Sequence, residues 1–306
     1  MNNSTFKTGV IFTAGPFVIW GVSPLFWKLL ADMDSVHILG YRIISSLCFT
    51  GIILAINRDF KWLAIFRDFK EGALILLSAL VLCINWGVYV WAINQGYTIE
   101  VSLGYYINPL VSIVLGLIFL REKLNPLQWL AFGMACLGVL TLTILSGRLP
   151  WISLIIAFTF GIYGLLKKKV ALSSLESLGA ETLAALPIGI ALLFLPQGIS
   201  SQGLSEPAAG LQFAAGFQTP GLRLVMLVMI GVITATPLYF FGRGAKLLPL
   251  STVGFIQFLG PTIQFILGYF VFGEYFPGRY FIAFAFIWLS WVVYIVSLNY
   301  KRFVKR

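Results

Sequence analysis

The 306-residue sequence is 59% hydrophobic and only 10% charged, with a mean hydropathy of +0.93. A soluble fold of this length has too little interior to hide so much apolar surface, which excludes a soluble globular domain and makes lipid the expected solvent. The net charge of +10 raises nucleic acid as a partner, and the placement of the charges decides that question.

A membrane-spanning helix needs roughly 20 mostly apolar residues. Ten runs of about that length occur, at 9–30, 36–56, 72–94, 99–120, 126–146, 150–167, 177–196, 221–243, 248–273 and 278–299. The first is too long for a signal-peptide core and lacks a small-x-small cleavage site, so it is expected to remain as the first span. The longest connection, Gln197 to Pro220, is rich in Gly, Ser, Gln and Ala and is too small for a soluble domain. The expected fold is therefore an all-α integral membrane bundle of ten transmembrane helices.

Ten spans place both termini on one side. With the N-terminus inside, the inner segments hold sixteen lysines and arginines, and the outer loops hold two, Arg148 and Arg279. The positive-inside rule then predicts cytoplasmic termini. These are topogenic charges facing anionic lipid, and no soluble basic surface is left for nucleic acid. Cys48, Cys83 and Cys136 lie inside apolar runs. Neither they nor His37 have metal-ligand or disulfide-framework spacing, so no metal or other cofactor is expected.

The chain also resembles itself. A shift of 152 residues sets Pro109 on Pro261, Leu115-Gly116 on Leu267-Gly268, Glu122 on Glu274 and Ala131-Phe132 on Ala283-Phe284; a shift of 143 sets Trp20-Gly21 on Tyr163-Gly164. Residues 1–148 and 149–306 thus read as two five-helix repeats, with 197–220 as an extracytoplasmic loop of the second. An odd number of helices per copy inverts the second copy in the membrane, the arrangement of many transporters that rock about a central site.

The fourth and ninth runs carry the most information. One reads Ser102-Leu-Gly-Tyr-Tyr-Ile-Asn-Pro109, and its counterpart reads Gly254-Phe-Ile-Gln-Phe-Leu-Gly-Pro261. A proline inside a helix removes one backbone hydrogen bond. Pro109 and Pro261 therefore free the Tyr105 and Gln257 carbonyls near mid-membrane, where lipid offers no partner. Asn108, Gln257, Tyr105 and Tyr106 beside these breaks suit a polar substrate with an apolar body; kinks that serve packing alone are the other reading.

In the third run, Asn85, Trp86 and Tyr89 share a region of helix surface. A mid-membrane amide needs a partner, which is either substrate or a neighbouring helix. Trp91 and Trp151 suit the interfacial belt. Arg42 lies well inside the second run: it either faces the interior and binds a carboxylate or phosphate, or snorkels toward Asp32 or Asp34. Glu181 is a candidate for proton coupling or the partner of a lysine in 167–169, a run that otherwise reads as an orientation signal. Glu100 is expected to be solvated. Glu122 and Glu274 are expected to complement the positive starts of the fifth and tenth helices.

The sequence resembles the RarD branch of the EamA family, in the drug/metabolite transporter superfamily. The resemblance rests on Trp20-Gly21, Tyr41-Arg42, Asn85-Trp86 with Trp91 to Asn94, Ser102 through Val111, Tyr163-Gly164 with Lys168-Lys169, Glu181-Thr182, Ser251 through Pro261 and Phe284 to Trp288. It implies ten helices, cytoplasmic termini in a bacterial plasma membrane, and a cavity lined by the first four helices of each half. One departure is Arg121-Glu122, where the family pattern is Gly-Glu, as at Gly273-Glu274.

The expected function is a permease for a small organic metabolite or drug-like molecule, working by alternating access. Its cavity would use Arg42, Asn85, Trp86, Tyr105, Tyr106, Asn108, Tyr163, Thr236 and Gln257. A channel or a non-transporting sensor is the alternative, separated by saturable flux with countertransport. An intramembrane enzyme needs activated nucleophiles, paired carboxylates or metal ligands, and the helices carry none in suitable spacing. No phosphate loop is present, so ATP does not drive this chain alone.

Overall fold

A computed structural model describes residues 3–30, 33–58, 60–95, 97–147, 150–195, 220–271, 273 and 278–303. The connection over 197–219, Glu274 and Asp32 lie outside the described residues. The helices are α1 Asn3–Lys28, α2 Ser35–Ile56, α3 Phe69–Asn94, α4 Thr98–Phe119, α5 Pro126–Ser146, α6 Trp151–Lys169, α7 Ser174–Leu193, α8 Pro220–Leu247, α9 Leu250–Gln257, α10 Leu259–Phe270 and α11 Tyr280–Phe303, with a 3-10 helix at Lys61–Arg67 before α3. Among the described residues, ten segments are long and apolar enough to cross a membrane, α9 and α10 together forming one of them.

Local chemistry fixes where several helices begin. The Asp68 carboxylate accepts the Lys70 and Glu71 amides at the start of α3. Asn125 with Gln128, and Ser173 with Glu176, form capping boxes at the starts of α5 and α7. Each box satisfies amides that the first helical turn leaves without partners. Apolar side chains such as Leu76, Ile118, Leu140, Phe270 and Val292 point outward, as a lipid-facing surface requires.

The two prolines act differently. α4 runs unbroken through Pro109, whereas the ninth span divides at Phe258, between α9 and α10, ahead of Pro261. The expected pair of breaks is therefore one break and one continuous helix. A proline deletes a single ladder bond, and a helix held by neighbours on both sides can absorb that loss. α4 is held in this way, by α6 and by α9.

The first five spans pack against the last five. α2 lies against α7, α5 against α11 and α4 against α9. α1 meets α8 as α6 meets α3, and α1 meets α10 as α6 meets α4. The α4–α9 crossing is close: a Cβ on Gly254 would lie 2.7 Å from the Pro109 carbonyl oxygen. Only glycine lets those backbones approach so closely.

Candidate substrate site

The two ends of the bundle differ. At the end bearing the N-terminus, Gly9 of α1 lies against Leu247 and Leu248, and the links α4–α5, α6–α7 and α8–α9 meet. Glu122 of the α4–α5 link reaches across to α9. Its carboxylate accepts the Leu250 amide at 2.6 Å, the Ser251 amide at 2.8 Å and the Ser251 hydroxyl at 2.6 Å. Glu122 thus complements the positive start of a helix, but that helix is α9 and not α5, as sequence had suggested. α5 begins at Pro126 and is capped by Asn125, so Glu122 is left in the link and free to reach the neighbouring helix.

Lysines close the same end. Lys168 on α6 donates to the Ala245 carbonyl at 2.8 Å and to the Leu248 carbonyl, at the end of α8. Lys246 on α8 donates to the Val170 carbonyl at 2.8 Å and to the Leu172 carbonyl, past the end of α6. Each helix supplies a cation to the other's unpaired terminal carbonyls. Lys167 is fully buried; its ammonium lies 2.9 Å from Glu181 Oε1 and donates to the Ser177 hydroxyl at 2.8 Å. The Ser177 hydroxyl donates to Glu181 Oε1 at 2.8 Å, and the Tyr163 hydroxyl donates to Oε2 at 3.1 Å. Of the lysine run read as an orientation signal, only Lys169 is exposed.

Above this layer lies an aromatic plug. Tyr163 stacks on Phe241 at 6.0 Å and 13°, and Phe160, Phe17 and Trp20 pack around the same ring. Tyr163 is fully buried, so it belongs to this plug and to the Glu181 network.

Arg42 stands toward the opposite end, two turns into α2. Its guanidinium carbon lies 4.4 Å from the Trp86 ring centroid and 5.2 Å from that of Trp27. Tyr89 and Tyr105, with ring centroids 6.2 Å apart, are its electrostatic neighbours. Arg42, Tyr89 and Tyr105 are half-buried, and Arg42 Nε has no hydrogen-bond partner. Down the same face of α4 come Tyr105, Asn108 and Ser112, at spacings of three and four. The Ser112 hydroxyl meets Gln257 Oε1 of α9 at 3.1 Å. Asn108 Oδ1 and Gln257 Nε2 are buried without partners.

Arg42, Trp86 and Tyr105 therefore come together, joined by Trp27 and Tyr89; Asn108 lies one turn further along α4, and Gln257 meets α4 at Ser112. Asn85 does not join them: its amide nitrogen donates to the Ile156 carbonyl and the Thr159 hydroxyl, both at 2.9 Å, tying α3 to α6. Tyr106 donates to the Pro261 carbonyl at 3.1 Å, holding α4 to α10. Thr236 is half-buried on α8 and takes part in none of these bonds. Glu100, expected to be solvated, is buried. Its turn of α4 is pressed on α6, where the Ser153 hydroxyl donates to the Glu100 carbonyl at 2.5 Å. Trp91 and Trp151 are exposed near that end, 5.7 Å apart, in keeping with an interfacial belt.

Trp27 was not singled out from sequence, because one tryptophan near the end of a span also suits the belt. Ser177 was not singled out from sequence, and Lys167 entered only as one of three lysines that could pair with Glu181. The i,i+4 spacing of Ser177 and Glu181 was visible, but not which lysine would face them.

The arrangement has relatives. Residues 7–144 match the EamA-like transporter family. The chain is 40% identical to "Uncharacterized transporter YojE" of Bacillus subtilis, over 99% of this chain and 98% of the relative. It is 40% identical to "Protein RarD" of Streptomyces exfoliatus, over 94% and 88%. A solved crystal structure shares the fold with a TM-score of 0.69 at 16% identity, covering 93% of this chain and 96% of that one. With ten apolar spans and full-length relatives at this identity, the chain is a multi-pass membrane protein that belongs to the RarD branch of the EamA family of transporters.

Proposed function

We propose that the protein is a permease that moves a small organic molecule by alternating access. It would act in a bacterial plasma membrane, with both termini in the cytoplasm as the excess of inner basic residues indicates. The observation that carries this reading is the asymmetry of the bundle. One end is closed by bonds between the two sets of five helices, with Glu122 on α9 as the main tie. Toward the other end, half-buried Arg42, Tyr89 and Tyr105 are gathered between helices. A site closed on one side by ties that a second conformation can release is what alternating access needs.

The helix pairing, in which α1 with α8 repeats α6 with α3, supports two halves in inverted orientation. Rocking of one half on the other would exchange which end is closed. Arg42, Trp86, Tyr105, Asn108 and Gln257 would contact substrate. Asn85, Tyr106 and Tyr163 would position helices around it. The test is flux into proteoliposomes, with labelled candidate solutes from a broad organic panel. Saturable uptake accelerated by the same solute on the far side supports the permease. Flux without saturation or acceleration favours a channel, and binding without flux favours a sensor.

A further inference from the structure

We infer that the site selects an organic monocarboxylate with a flat, unsaturated body, and that Arg42 takes the carboxylate. This deepens the permease reading and rests on it for the step of transport. Two indoles lie against the guanidinium, at 4.4 Å and 5.2 Å. They attract the cation through their ring quadrupoles but carry no charge to neutralise it. Among the described residues no carboxylate pairs with Arg42. The Asp34 carboxylate accepts the Val36 amide and faces His37. The Lys167–Glu181 pair belongs to the closed end.

A cation inside a membrane bundle is costly unless something balances it. One guanidinium balances one negative charge; a dianion would leave an excess charge in a low-dielectric site. A guanidinium donates in its own plane, through pairs of N–H groups that share an edge. Such an edge matches the two oxygens of a carboxylate, and Nε, which lies on one, has no partner in the protein. The Tyr89 and Tyr105 rings, with the two tryptophans, make walls that favour a flat apolar body. Asn108, one turn further along α4, and Gln257, which meets α4 at Ser112, carry an unpartnered acceptor and donor and suit a polar substituent at its far end.

The experiment is titration of the purified, detergent-solubilised full chain with benzoate, benzamide and phenyl phosphate, read by calorimetry. Benzoate is expected to bind at least about tenfold more tightly than benzamide, its neutral analogue of the same shape. Arg42→Gln is expected to bring benzoate down to the benzamide level. Arg42→Lys keeps the charge without the fork, and is expected to weaken benzoate several-fold with benzamide unchanged; it also serves if the Gln variant does not fold. Four results would each overturn the inference: no benzoate binding, equal affinity for benzamide, benzoate affinity unchanged in the Arg42 variants, or phenyl phosphate binding more tightly than benzoate. Binding is measured without flux, so its failure leaves the permease reading standing. Benzoate binding with no saturable flux of any solute would count against that reading alone.

Discussion

Lys167 and Glu181 face each other at 2.9 Å with both side chains buried, and the Ser177 and Tyr163 hydroxyls complete the carboxylate's bonds. An ion pair so enclosed gives little net stability over an apolar pair, but removing one partner leaves a bare charge. Lys167→Met and Glu181→Gln are each expected to destabilise the protein by about 3–5 kcal/mol. The double variant Lys167→Met/Glu181→Leu should recover most of that loss, as read from thermal unfolding in detergent. Flux of the double variant also tests the proton-coupling role for Glu181. Normal pH-dependent flux would remove that role, and a folded double variant that has lost only its pH dependence would establish it.

The Glu122 tie depends on a glycine. A Cβ on Gly116 would lie 2.8 Å from Glu122 Oε2 and 3.1 Å from the Ser251 amide nitrogen. Gly116→Ala should therefore push the carboxylate off the start of α9, with nearly the same consequence as Glu122→Gln. Both variants should loosen the end bearing the N-terminus. In a background without the three native cysteines, Ser174→Cys, buried at that end, reports the change. Its labelling by a bulky maleimide is expected to rise several-fold in either variant; an unchanged rate would mean that Glu122 does not hold this end closed.

The spans were legible because lipid imposes one demand everywhere: about 20 apolar residues with internally bonded backbone. No comparable rule says which end of which helix a loop carboxylate will reach. Glu122 lies four residues before Pro126, and sequence assigned it to α5 for that reason. Only packing brings α9 within its reach. The lysines at 167–169 had the composition of an orientation signal; burial of Lys167 depends on where α7 begins, and partial burial of Lys168 on where α8 ends. Arg42 was legible as a question with two answers. Its indole neighbours come from α1 and α3, contacts that span spacing within one helix cannot reveal.

Arg121 holds a left-handed backbone conformation, φ +52°, and Gly273, its counterpart at the other α-helical link, has φ +66°. The glycine of the family pattern is thus explained by backbone conformation, and its absence in this chain carries a cost. A residue with a Cβ loses about 1–2 kcal/mol in that region relative to glycine. Part of the gain from Arg121→Gly is cancelled by the greater freedom of glycine in the unfolded chain. The variant is expected to be more stable by up to about 1 kcal/mol, seen as a higher unfolding temperature with unchanged flux. A lower unfolding temperature would mean that the exposed Arg121 side chain contributes an interaction outweighing the strain.

Asn85 separates a positioning role from a binding one. Both of its amide hydrogens are committed to α6, to the Ile156 carbonyl and the Thr159 hydroxyl, while its neighbour Trp86 turns to Arg42. Hydrogen bonds between membrane helices are worth about 0.6–2 kcal/mol. Asn85→Leu is expected to lower stability by that amount and to leave the order of preference among benzoate, benzamide and phenyl phosphate unchanged. Trp86→Leu should have the opposite profile: a smaller effect on the α3–α6 contact, and a several-fold loss of benzoate affinity as the guanidinium loses its nearer indole. Calorimetric titration of both variants with the same three probes checks the pair. If Asn85→Leu alters the preference while Trp86→Leu does not, the substrate lies on the α6 side of α3, and the Arg42 cluster is part of the scaffold.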